Sequence, residues 1–306
     1  MPKIVAISVP YPGVSRVCEE GEKLGLWEFV RLTDDQEVDV PASADLYILG
    51  AWHPVYGEIL NAMRAQGKPR AVVLWTSSAG EVGLEPSEQD ALVDVLADTR
   101  IERVWFADKA LAEAWKEKGF YAPYPLYVPE VLPGPKLVPE PYMTLFCPST
   151  AKKNIFTQLV AAVLIQLERP ELTLYTNVQV SKVFHDTLKF KEMGWLAREQ
   201  YEEVMRGSKL NFACSFAETF DYQAAEAALL WQVPSVCSYT IPWSPTIILG
   251  VTPAPVSNPN DAREIASRAL QMMRYGTYFQ DAARGWARRA NPILAAALAK
   301  LTSASP

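Results

Sequence analysis

Short apolar runs of strand length recur through the first part of the chain. They fall at Ile4–Val9, Phe29–Leu32, Asp45–Gly50, Arg70–Trp75 and Arg103–Ala107. Helix-like segments lie between them: Val14–Leu24, Gly57–Gln66, Ser87–Asp98 and Lys109–Lys118. The first helix is entered through a Pro12-Gly13 turn with Ser15 near its cap, and Gly119 stops the last. Strands that alternate with helices predict a parallel, doubly wound sheet.

Seven prolines then crowd the stretch from Ala122 to Pro141, at 123, 125, 129, 133, 135, 139 and 141. Such a segment is neither helix nor central strand, and it reads as a semi-rigid linker. It sets a domain boundary near residue 136. The alternation restarts beyond it, with strands at Met143–Cys147, Glu171–Tyr175, Lys209–Cys214 and Ser235–Ser238. Helices are expected at Asn154–Leu167, Glu199–Met205, Tyr222–Trp231 and Ala262–Tyr275. A last helical stretch, Thr277–Leu301, is broken in this reading at Asn291-Pro292. The pattern is that of two α/β domains, 1–136 and 137–306.

Composition narrows the class. Of 306 residues 49% are hydrophobic and 21% charged, which describes a globular chain. No apolar run reaches the ~20 residues of a membrane span, and the opening residues read as a buried strand. Four scattered cysteines read as free thiols, so a cytoplasmic location is expected. Two histidines make a histidine-rich metal site improbable. Residues 1–140 carry 13 basic against 22 acidic side chains, net −9, while 141–306 carry 16 against 13, net +3. The acidic first half is a poor surface for nucleic acid or anionic lipid, apart from a small basic strip of Arg64, Lys68 and Arg70.

The densest candidate chemistry is Cys214-Ser215-Phe216-Ala217-Glu218-Thr219-Phe220-Asp221-Tyr222-Gln223-Ala224-Ala225-Glu226-Ala227. A strand run precedes it, and Glu218 in a loop and Glu226 on a helix, eight positions apart, can face one crevice at a strand's carboxyl end. A second loop, Pro148-Ser149-Thr150-Ala151-Lys152-Lys153, joins a strand end to a helix N-terminus and so makes an anion site.

The first segment resembles the Glu-x7-Glu motif of retaining GT-B glycosyltransferases, with Ser215, Glu218, Phe220, Glu226, Ala227 and Pro234 in register. Thr219 and Asp221 stand where that family has glycines, and Cys214 where it has proline. The resemblance implies a GT-B fold, two Rossmann-like domains facing across a cleft, with the last helix (about 279–301) crossing back to the first. It implies transfer of a sugar from a nucleotide diphosphate sugar, with retention and without a metal or other cofactor.

In this resemblance Glu218 contacts the donor sugar, Glu226 takes the ribose hydroxyls and Lys153 holds the diphosphate. The family's Arg in that loop is absent; either Lys152, Ser149 or Thr150 compensates, or the stabilisation of the leaving group differs. Thr219, Phe220, Asp221 and Tyr222 line the donor, with Asp221 either reading the sugar or capping the helix that Tyr222 begins. Asn177 and Trp195 or Leu196 border the base, Trp195 being equally readable as core. Gly13 lies in the first-strand loop under the phosphates, where two glycines are common. His53, Ser77 and Ser78 are the acceptor-side candidates; the histidine the family often has after its fourth strand is missing. The acceptor is left open among glycan, lipid, metabolite and modified DNA. An epimerase of the same fold and a nucleotide-sugar-binding protein without turnover are the other readings.

Overall fold

The computed structural model describes residues 2–10, 12–32, 44–65, 67, 70–130, 134–243, 254–275 and 277–303. The chain divides into two compact units, Met1–Tyr127 with Ala287–Pro306, and Val128–Trp286. The change of unit falls at Tyr127–Val128, a few residues ahead of the point near 136 that the prolines suggest.

The first unit runs β1 (Ile4–Ser8), α1 (Pro12–Lys23), β2 (Glu28–Arg31), β3 (Leu46–Gly50), α2 (Tyr56–Ala65) and β4 (Ala71–Trp75). It continues through α3 (Ala79–Leu84), α4 (Pro86–Ala97), β5 (Arg103–Phe106), α5 (Lys109–Ala114) and β6 (Gly119–Tyr121). The strands pair in parallel in the order β2-β1-β3-β4-β5-β6. β1, β3 and β4 are buried at every position, which is why they read as unbroken apolar runs. The order reverses at β1, between β2 and β3, so the loops after β1 and β3 flank the point where open α/β sheets take ligands.

Two elements here differ from the sequence reading. Gly119 does not stop a helix; α5 ends at Ala114 and Gly119 opens β6. A Cβ at 119 would stand 2.8 Å from the Phe106 ring and 2.9 Å from the Trp115 carbonyl, so this glycine serves close packing. The loop expected after β4 contains α3, held by a capping box in which Ser78 and Glu81 satisfy each other's backbone N–H.

The second unit holds β7 (Tyr142–Leu145), α6 (Ile155–Glu168), β8 (Thr173–Thr176), β9 (Phe190–Glu192) and α7 (Arg198–Gly207). β10 (Asn211–Ala213), α8 (Tyr222–Trp231), β11 (Ser235–Cys237) and α9 (Ala262–Tyr275) follow. The strand order is β11-β10-β7-β8-β9, again all parallel. β7 lies between β8 and β10, so the switch point is bordered by the loops after β7 and β10. β9 was not expected from the sequence; its three residues, two of them charged, are mostly exposed.

α10 (Thr277–Ser303) begins in the second unit and ends in the first. It is continuous through Pro292, contrary to the expected break. Asn291 explains the persistence: its side chain accepts from Leu126 N–H (3.1 Å) and donates to Leu126 C=O (3.0 Å). Burial of Ala287, Ala290, Leu294 and Leu298 adds to this anchoring, and together they outweigh proline's ~3 kcal/mol helix cost. No helix among the described residues is long and apolar enough to cross a membrane.

Candidate functional site

The two loops that the strand order singles out in the second unit are stitched together. After β7 the chain passes Cys147, Ser149 and Thr150 into a single 3-10 turn, Ala151–Lys153, and then Asn154, which adopts a left-handed φ of 52° at the start of α6. Asn154 Nδ2 donates to the carbonyls of Cys214 (3.2 Å) and Pro259. Gln158, one turn into α6, accepts from Cys214 N–H (2.9 Å) and donates to Lys153 C=O (2.7 Å). Phe216 N–H donates to Lys152 C=O (2.8 Å). These bonds bring Lys153 onto Glu218 as an ion pair, with side chains only 15% and 12% exposed. Ser215 Oγ donates to the same Glu218 oxygen at 3.3 Å.

Burial pulls the Lys153 ammonium toward neutrality, but Glu218 and Asp221 more than reverse this, so its pKa is raised and it stays a cation. Cys147, beside it, is pushed up to about 12 by burial, against the attraction of Lys153, and is a neutral thiol with no nucleophilic character. Ser149 is exposed. Thr150 Oγ1 is buried and has no hydrogen-bond partner among the described residues.

Asp221 has φ 60°, the left-handed region a glycine favours, and its side chain accepts from Ala224 N–H (3.0 Å). It is the N-cap of α8, so of the two roles the sequence left open the structure shows the cap. Thr219 is buried. Phe220 is 3% exposed and packs against Tyr222, Trp243 and Trp286, and its carbonyl accepts from Trp243 Nε1 (2.7 Å). Its ring is therefore part of the core. Tyr222 is half-buried at the first position of α8. Glu226, a little over one turn further on, is 6% exposed and accepts from Arg198 Nη1 at 3.3 Å.

Asn177, past the end of β8, accepts from Cys147 N–H (2.9 Å) and so shapes the β7 loop. Trp195 follows Gly194 (φ 63°) and is 78% exposed, which overturns its reading as core. Leu196 takes the core side instead, against the cluster of Phe146, Met205 and Trp231.

In the first unit, Gly13 lies within the first turn of α1. His53 follows β3 at that unit's switch point, after Ala51, a non-glycine residue at φ 58°. His53 Nδ1 accepts from Val55 N–H (3.3 Å), and its ring meets Tyr56 edge-on. Tyr56 OH ties Gly50 C=O (2.7 Å) to Val9 N–H (3.2 Å), holding the ends of β3 and β1 in register. Ser77 Oγ donates to Glu88 (2.8 Å), and Ser78 caps α3. Of the basic strip, Arg70 pairs with Glu102 (3.0 Å), and Lys68 lies outside the described residues.

Asn154, Gln158 and Arg198 were missed by sequence reasoning. The first two act through backbone groups, and a Lys-Lys-Asn turn before an apolar helix was their only trace. Among the described residues no group of three His, Cys, Asp or Glu is arranged to hold a metal ion.

No protein-family model and no curated protein sequence matches the chain. Solved structures match its fold. HepE from Anabaena, seen in complex with UDP-glucose, aligns with a TM-score of 0.71 at 14% identity, over 99% of this chain and 100% of its own. Sucrose-phosphate synthase from Thermosynechococcus elongatus aligns at 0.62 and 13%, over 98% of each. TarM from S. aureus aligns at 0.63 and 12% over 85% of this chain, which spans about half, 55%, of TarM's length. At these identities the likeness is one of fold, and the two parallel α/β units are those of the GT-B architecture.

Proposed function

We propose that this chain transfers a sugar from a nucleoside diphosphate sugar to an acceptor hydroxyl, with retention at the anomeric carbon. The observation that carries this is the Lys153–Glu218 pair at the switch point of the second sheet, with the buried Glu226 on the helix that follows. The donor's arrival exchanges partners within that pair. Lys153 turns to the diphosphate, and Glu218 turns to the sugar's hydroxyls, which a carboxylate accepts two at a time. Glu226 takes the ribose hydroxyls.

Charge grows on the leaving diphosphate as the glycosidic bond breaks. Lys153, with the N–H groups of the β7 loop and the N-terminus of α6, stabilises it in a largely desolvated setting. The departing phosphate oxygen takes the acceptor's proton on the face it leaves, which accounts for retention and asks for no side-chain nucleophile. Cys147 and its neutral thiol fit that reading. The lysine and helix supply the positive charge, so the transfer runs without a metal ion and persists in EDTA.

The acceptor belongs to the first unit, with His53 as its candidate contact. The net −9 of residues 1–140 and the engagement of Arg70 by Glu102 favour a glycan, lipid or metabolite hydroxyl over DNA. HepE's complex makes UDP-glucose the first donor to test. Release of free nucleoside diphosphate from UDP-glucose, UDP-N-acetylglucosamine and GDP-mannose, with NMR of the product's anomeric configuration, decides the proposal. No release from any donor, or an inverted product, refutes it.

A further inference from the structure

Glu226 is a carboxylate at 6% exposure on α8, and burying such a charge is costly unless a cation accompanies it. The cation at hand is Arg198, the first residue of α7, whose Nη1 donates to Glu226 Oε2 at 3.3 Å. Arg198 is itself held from two further directions. Its Nε donates to Glu202 one turn along α7 (2.5 Å), and its guanidinium lies 5.7 Å from the centre of the Tyr201 ring. Tyr201 in turn meets Phe146 and Trp231 edge-on, inside the cluster that joins α7 to α8. A planar guanidinium fixed on three sides presents a rigid fork. It sets the direction in which the Glu226 carboxylate points.

We infer that Arg198 is a positioning residue that makes this site selective for ribonucleotides: it holds Glu226 aimed so that the carboxylate reads the ribose 2′- and 3′-hydroxyls. The inference rests on the donor reading above. Arg198 does not contact the diphosphate or the reacting carbon in this account. Its effect on a ligand passes through Glu226, so its removal is felt most by ligands that offer ribose hydroxyls. A carboxylate oxygen accepts more than one hydrogen bond, so the arginine and a ribose hydroxyl share it without displacement. A hydrogen bond to a charged acceptor contributes roughly ten- to a hundredfold in affinity.

The test is titration of UDP and of 2′-deoxy-UDP, with the GDP and ADP pairs alongside, into the wild-type chain and into Arg198→Ala, Arg198→Lys and Glu226→Gln. The wild type is expected to prefer the ribose form by about tenfold. Arg198→Ala loses about that factor for the ribose form and changes the deoxy form less than about twofold, so the preference collapses. Glu226→Gln shows the same collapse, and Arg198→Lys, which keeps the charge, restores part of it. Arg198 is half exposed, so its two variants keep the fold, and circular dichroism checks the folding of all three. Equal weakening of both forms by Arg198→Ala makes the residue merely structural and overturns the inference. So does tighter binding, which makes the pair a latch that the nucleotide must open. A wild type that binds diphosphates without discriminating the sugar overturns it while leaving the donor reading intact. A wild type that binds no diphosphate defeats the donor reading, and this inference with it.

Discussion

Lys153 and Glu218 form an ion pair between the loop that follows β7 and the loop that follows β10. Each side chain is the other's counter-charge, and each has a different partner in the proposed complex. Lys153→Ala therefore removes an interaction that strengthens as the donor breaks. We expect turnover to fall by about a hundredfold or more, with donor affinity changed only severalfold. Steady-state kinetics beside direct titration of UDP separates the two. If Lys152→Ala carries the large effect and Lys153→Ala none, the phosphate contact is one residue away from where it is drawn here.

Asp221 combines a left-handed backbone with an N-cap, and substitutions separate the two. Asn keeps both, Gly keeps the backbone and loses the cap, and Ala loses both. Melting temperatures are expected to fall in that order, the cap contributing about 1 kcal/mol and the strain of a left-handed alanine about a further 1 kcal/mol. An Ala variant as stable as the Asn variant would refute this.

Gly119→Ala meets the Phe106 ring and the Trp115 carbonyl at under 3 Å. The carbonyl cannot swing aside as a flexible side chain does, so a loss of about 1–3 kcal/mol is expected from overpacking. Chemical denaturation gives the figure, and a neutral result would show that β6 shifts freely.

Asp98 and Arg100 staple the turn between α4 and β5. Arg100 donates to both Asp98 oxygens and, through Nη1, to Asn61 and Gly57 C=O on α2. The bonds from Arg100 hold the Asp98 carboxyl below its ordinary 3.8. A carboxyl lowered by folding adds stability above its unfolded pKa and loses it as pH falls through the folded one. Asp98→Asn should thus be less stable than wild type at neutral pH, and the gap should close below about pH 4. A gap that stays constant down to pH 2 would contradict the pairing.

Much of this was legible in the chain. Unbroken apolar runs such as Ala71–Trp75 mark strands covered on both faces, and these landed where expected. Glu218 in a loop and Glu226 on a helix were also read correctly from the chain. What was illegible was decided by contacts distant in sequence. Gly119 looks like a helix stop because nothing local records the Phe106 ring beneath it. Pro292 looks like a break because Asn291's bonds to Leu126 lie 165 positions away. The bonds of Ser77 to Glu88 and of Ser78 to Glu81 were likewise not read from the chain. Arg198 carries no motif, and only the fold sets it against Glu226.

The course of α10 has a consequence for synthesis. The second unit is a continuous stretch, Val128–Trp286, while the first is completed by Ala287–Pro306. On a ribosome adding about 5–20 residues per second, the first unit waits roughly ten to thirty seconds for the segment that completes it. The unit begun first is thus the one finished last. During that wait the apolar side chains of Leu294 and Leu298, buried in the finished chain, are not yet in place.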